Sequence, residues 1–219
     1  MSEKYGKIPP KFTKEWWGHF WYYYKWRVIG IAIAVAITLV TVVQCVSRPK
    51  YDMYITYAGH KLYSDNLSEK MQDSFNEYIT DIDGNGKQSV FFQQMTFYDT
   101  AGNEEMDSAM QTKLDFTFTK DCSFIYLMDR AEAELYINRD STNRLFTETA
   151  EWAKDTDAEI LKSEDGAGYA VNLKDSRFLK ERELYCDDLY LLIRTNKKDD
   201  EKNKKAYEDS LKIAEILIK

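Results

Sequence analysis

The chain has 219 residues, 44% of them hydrophobic and 31% charged, the composition of one folded unit with appendages, which excludes a disordered chain. Its net charge of −7 is unevenly held: Met1 to Val46 carries Lys4, Lys7, Lys11, Lys14, Lys25 and Arg27 against Glu3 and Glu15, a net of +4, leaving −11 for Ser47 to Lys219. So acidic a surface repels phosphate backbones and excludes nucleic acid or another anionic polymer as the partner of the larger part.

Residues 1–27 read as a basic and aromatic tail, and residues 28–46, VIGIAIAVAITLVTVVQCV, as a transmembrane helix. Nineteen uncharged residues make a helix of roughly 28 Å, close to the ~30 Å of bilayer hydrocarbon. Just before it, Trp16, Trp17, Trp21, Tyr22, Tyr23, Tyr24 and Trp26 stand beside Lys25 and Arg27, an aromatic and cationic collar suited to headgroup depth. The near flanks are almost balanced, with Lys14, Lys25 and Arg27 before the helix and Arg48, Lys50 and Lys61 after it. The basic tail and the acidic remainder place the N-terminus in the cytoplasm and residues 51–219 outside, on a linker at 47–50. A removable signal is not expected, because Gln44, Cys45, Val46, Ser47 and Arg48 offer no small-residue cleavage site.

Along the outer part, YDMYITYAG alternates aromatic and β-branched residues as a strand does. A helix follows, capped by Ser64 or Asp65, with Leu67, Met71, Phe75 and Tyr78 on one face. After DIDGNG, the run QSVFFQQMTF reads as a strand, Met106, Met110 and Leu114 mark a second helix, and CSFIYLMD has the continuous apolarity of a buried parallel strand. This is an α/β pattern of the βαβαβ type, a mainly parallel sheet covered by helices. Beyond it a helix is predicted around Asn143 to Lys154, strands at GYAVNL and LYLLIRT, and a closing amphipathic helix with Tyr207, Leu211, Ala214 and Ile218 on its buried stripe.

FWYYYKWRVIGIAIA, the strand YDMYITYAG, the loop DIDGNG and CSFIYLMD together are similar to membrane-anchored proteins of low-GC Gram-positive bacteria whose outer domain resembles one lobe of an extracellular solute-binding protein. The resemblance implies a sheet lining one side of a ligand cleft. The outer part, about 170 residues, is half of what two lobes need, so it implies a single solute-binding-like lobe and carries no ligand residue over.

DIDGNGKQSVFF, Asp81 to Phe92, raises a metal question. Asp81, Asp83, Asn85 and Gly86 match positions 1, 3, 5 and 6 of an EF-hand-type calcium loop, and Lys87 offers the carbonyl of position 7, but Phe92 stands where the bidentate carboxylate belongs. The same residues are favoured in a plain Asp/Asn/Gly turn. A turn and a weak calcium site at Asp81, Asp83 and Asn85 therefore stand side by side. Cys122 and Cys186, each near the start of a predicted strand, are either two buried thiols or a disulfide in an oxidising exterior. His60, directly after the first strand, occupies the place where α/β folds put ligand groups, and also suits a surface loop. No Gly-rich phosphate loop, GxSxG or HExxH occurs. The expectation is a non-enzymatic module without a cofactor other than weak calcium, its partners the lipid bilayer and an envelope protein or small solute. An envelope-acting enzyme and an accessory subunit of a membrane complex are the alternatives.

Overall fold

The computed structural model describes residues 10–46, 50–98, 102–139, 145–154 and 156–219. These form two compact units, Met1–Pro49 and Lys50–Lys219. Most of the expected linker, 47–49, and the first two residues of the helix expected from Asn143 lie outside the described residues.

Among the described residues the first unit holds one helix, α1 (Lys14–Val46, 33 residues). It starts fourteen residues before Val28, because the aromatic tail continues the helical turn instead of leading into it. Thr13 begins it, its hydroxyl oxygen accepting the Trp16 N–H at 3.2 Å. Phe12, Trp16, Phe20 and Tyr24 then stack along one side at centroid separations of 5.6, 5.4 and 5.3 Å. Farther on, the Thr38 and Thr41 hydroxyls donate to the Ala34 and Ile37 carbonyls at 2.9 and 2.8 Å, which conceals the polar groups of an otherwise apolar run. Helix α1 is long and apolar enough to cross a membrane.

The second unit is an α/β domain with a six-stranded sheet in the order β2-β1-β3-β6-β5-β4. Strands β1 (Met53–Gly59), β2 (Val90–Thr96) and β3 (Ser123–Met128) are parallel. They are joined by α2 (Asp65–Asn76) and α3 (Glu104–Thr117), as the periodicity predicts. Ser64 is the cap of α2. Helix α2 buries Met71 and Phe75 against Ile55, Ile125 and Leu127, whereas α3 buries Leu114 with Ala58, Tyr126 and Met128. The helices thus cover opposite faces, as two crossovers of one hand running to opposite sides of β1 require.

Beyond β3 come α4 (Arg130–Arg139), α5 (Thr149–Trp152), β4 (Ile160–Lys162), β5 (Gly168–Asn172), α6 (Arg177–Glu181), β6 (Tyr190–Ile193) and α7 (Glu201–Leu217). Strands β6, β5 and β4 extend the sheet antiparallel from β3. The helix expected up to Lys154 shrinks to the four residues of α5, because Phe146 pairs with Arg194 across an antiparallel bridge. Helix α7 lies on the sheet turned by one residue from the expected stripe. Asn203, Ala206, Ser210, Ile213, Ala214 and Leu217 are buried, and Tyr207 and Leu211 lie at the margin.

The outer edge of β2 is closed by α2 itself. Asn76 Oδ1 accepts the Val90 N–H at 2.8 Å and Gln72 Oε1 that of Phe92 at 3.1 Å. Donors that would otherwise recruit a further strand are satisfied by side chains.

Candidate functional site

The turn from α2 to β2 brings Asp81 and Asp83 together, but with Asp52 rather than Asn85: one oxygen from each of Asp52, Asp81 and Asp83 falls within a 4.8 Å cluster. Asn85 turns its carbonyl oxygen back to the Lys87 N–H at 2.8 Å. Asp81 accepts the N–H groups of Gly84 at 2.7 Å, Asn85 at 3.2 Å and Gly86 at 2.7 Å. Gly84 and Gly86 take φ of +74° and +81°, the left-handed region that glycine enters without strain. Asp52, which no motif indicated, is buried just ahead of β1. It accepts the N–H groups of Ile82 at 2.8 Å, Asp83 at 3.2 Å and Ser89 at 2.9 Å, and the Ser89 hydroxyl at 3.2 Å.

These carboxylates hold a turn chiefly through backbone donors. On that arrangement millimolar calcium is expected to leave the melting temperature of the domain unchanged; a rise that Asp81→Asn abolishes would instead identify a bound cation. The donors, Gly86 N–H first, also hold the Asp81 carboxyl below the usual carboxylate range. Asp121 is lowered chiefly by the Lys198 ammonium and Asp200 by the Asn203 N–H. Each such group contributes stability that is complete above the unfolded-state pKa of about 3.9 and is lost as pH falls through its folded value. Thermal unfolding followed from pH 6 towards pH 2 should show the loss setting in below about pH 4, with a smaller acid loss in Asp81→Asn.

The carboxyl ends of β1 and β3 hold a second group of side chains. Strand β1 connects to one side and β3 arrives on the other, so their carboxyl ends frame the topological switch point at which open α/β sheets bind ligands. His60 follows β1 directly, and Asp129 follows β3. His60 Nδ1 lies 2.5 Å from Asp129 Oδ2, which also accepts the His60 backbone N–H at 2.8 Å. Asp129 Oδ1 accepts the Glu132 N–H at 3.0 Å, which makes Asp129 the N-terminal cap of α4. The His60 side chain is 31% exposed and that of Asp129 13%. In a neutral imidazole whose Nδ1–H donates to the carboxylate, Nε2 has acceptor character.

Gly59 makes this approach feasible. A Cβ there would lie 2.7 Å from the Tyr57 hydroxyl and 2.8 Å from Asp129 Oδ2. The Tyr57 hydroxyl accepts the Lys61 N–H at 3.1 Å, and burial raises its pKa above the ordinary phenol value. Tyr63 meets Tyr57 edge-on at 4.6 Å, and its buried hydroxyl has no hydrogen-bond partner among the described residues. The Lys61 ammonium sits 3.5 Å from the centre of the Tyr185 ring. On the other flank, Arg130 reaches Glu134 at 3.0 Å and Glu159 at 2.7 Å. Glu159 Oε2 accepts from Tyr190 at 3.3 Å and from Asn172 at 3.2 Å. The result is a polar and aromatic edge with groups of both charges.

The two thiols are apart: Cys122 lies at the amino end of β3, while Cys186 precedes β6 at the carboxyl edge and directs Sγ to the Lys174 carbonyl at 3.6 Å. Burial raises both, Cys122 to about 11, so neither is an activated nucleophile. His60 was marked by its place after a strand. Asp129 was not, because only the sheet order brings it beside a residue 69 positions away. Comparison of the chain with family models, with curated proteins and with solved structures gives no match.

Proposed function

We propose that the chain is a single-pass, membrane-anchored binding module. Helix α1 crosses the bilayer with its N-terminus in the cytoplasm. The α/β domain, a single solute-binding-like lobe, stands on the outer face of the membrane. It takes an envelope-derived solute or an envelope protein at the carboxyl edge of β1 and β3. The observation that carries this reading is the His60–Asp129 pair at the switch point, where a carboxylate fixes an exposed imidazole and a glycine leaves room for it. Anchoring is supported by the length and apolarity of α1, and the outward position of the domain by the +4 of the tail against the −11 of the remainder.

The experiment is a thermal-shift survey of the chain in maltoside micelles against muropeptide, peptide and sugar libraries, repeated with His60→Ala and Asp129→Ala. His60→Ala is expected to lower the unliganded melting temperature by no more than about 4 °C, since a partly exposed pair is worth about 0–1 kcal/mol and Asp129 Oδ2 keeps the His60 backbone N–H, while abolishing the ligand-induced shift. Asp129→Ala also removes the cap of α4, at a cost of about 1 kcal/mol. No shift across the libraries, or one that survives His60→Ala, contradicts the proposal. A carboxylate-held imidazole also suits a general base, which favours an envelope-acting enzyme as the second reading; a library member that is consumed by the chain but not by His60→Gln would establish it.

A further inference from the structure

At the sheet edge opposite the His60–Asp129 pair, past the end of β6, the domain contains a cavity of about 280 Å³. The chain builds it by laying 145–147 against 193–195. Thr147 N–H donates to the Ile193 carbonyl at 2.8 Å, and Thr195 N–H to the Leu145 carbonyl at 2.8 Å. Trp152, at the end of α5, donates its indole N–H to the Thr147 carbonyl at 3.3 Å, which ties α5 to this segment.

Three rings from separate elements share the wall: Phe146 from this segment, Tyr169 from β5 and Tyr207 from α7. Two are set by edge-to-face packing, Phe146 on Phe118 at 5.7 Å and Tyr207 on Phe124 at 5.4 Å. The Tyr207 hydroxyl is fixed 3.2 Å from that of buried Thr147.

Glu148 and Glu151 complete the wall. Among the described residues neither carboxylate has a lysine, arginine or histidine partner. Among the described residues no cationic side chain lines the cavity. Arg194, one residue from Thr195, is engaged elsewhere, donating to the Phe118 carbonyl with its guanidinium 4.6 Å from the Phe124 ring centre. Aromatic faces carry negative quadrupole potential, and two carboxylates without a cationic partner among the described residues add formal charge to it. The described lining thus combines two carboxylates with three rings around a volume that suits a small organic group.

We propose that this cavity binds an alkylammonium group. The rings supply cation–π contact, Glu148 and Glu151 supply charge, and the Thr147–Tyr207 hydroxyl pair supplies a polar contact. The same chemistry is offered by a free quaternary amine and by the side chain of lysine or another diamino acid in a peptide. It is independent of the ligand taken at the carboxyl edge.

The test is calorimetric titration of the chain in maltoside micelles with three probes: choline, the neutral isostere in which carbon replaces its nitrogen, and Nα-acetyl-lysine amide. At least one of the two cations is expected to bind, about tenfold more tightly than the isostere. The variant Glu148→Gln/Glu151→Gln should lose about tenfold in that affinity, with an unchanged melting temperature as proof that it folds. His60→Ala should leave the affinity as it is. Preference for choline identifies a quaternary amine as the source, and preference for the lysine derivative a peptide side chain. The proposal is overturned if neither cation binds at tens of millimolar, if the isostere binds equally well, or if the folded double variant keeps its affinity.

Discussion

The chain is expected to stay with the membrane pellet through an alkaline wash, whereas residues 50–219 produced alone should be soluble and unfold in one cooperative transition. The reason is the surface of α1: Ile29, Ile31, Ile33, Val35, Ile37, Leu39, Val40, Val42 and Val43 are all exposed in its unit. Removing such side chains from water is worth roughly 1.5–3 kcal/mol each. Together that matches or exceeds the ~5–15 kcal/mol net stability of a typical domain, so α1 in water would drive aggregation. The domain has its own core on both faces of the sheet, with Ile55, Ile125, Leu127, Leu191 and Ile193 on one side and Tyr126, Met128, Tyr190 and Leu192 on the other. An alkali-extractable chain, or a domain that aggregates when produced without α1, would contradict this division of labour.

Asp52→Ala should be the most damaging polar substitution, costing about 3–5 kcal/mol. Asp52 is 1% exposed and accepts three backbone N–H groups and a hydroxyl, tying the start of β1 to the loop before β2. Deleting the carboxylate leaves those donors, on half-buried and exposed residues around a buried acceptor, without their partner. The expected fall in melting temperature is roughly 10 °C for a domain of this size. Asp83→Ala, at an exposed position of the same loop, should cost under ~0.5 kcal/mol. Urea titration separates the two, provided the slope with denaturant is the same for both variants. Equal effects would mean that the loop, not the buried carboxylate, carries the stability.

The parallel half of the sheet was legible because its signals are local. β1, β2 and β3 are apolar runs, and α2 has Met71 and Phe75 at helical spacing behind a serine cap. Helix α4 was not, since its buried face is Glu132, Ala133, Tyr136 and Ile137 while Leu135 is exposed; a glutamate inside and a leucine outside cancel the periodic signal. The one-residue turn of α7 has a similar cause. Asn203 and Asp209 are buried because the Cys122 and Thr80 N–H groups need them at 3.0 and 2.7 Å, and an apolar pattern counts such residues as solvent-facing. Strand β4 and helix α6, of three and five residues, are too short to show a period at all.

The site divides along the same line. His60 and the Asp81 turn are readable from neighbours in sequence. Asp129 and Asp52 acquire their roles only when the sheet order brings distant segments together, and the aromatic cavity draws its three rings from separate segments.

Orientation is the claim on which the rest depends, and two single-cysteine variants in intact cells test it most directly. With Cys45, Cys122 and Cys186 replaced by alanine, Lys11→Cys in the tail and Lys174→Cys on the exposed surface of the domain are treated with a membrane-impermeant maleimide. Labelling of Lys174→Cys without permeabilisation, and of Lys11→Cys only after it, is the predicted result. The reverse pattern would place the domain in the cytoplasm and contradict the account.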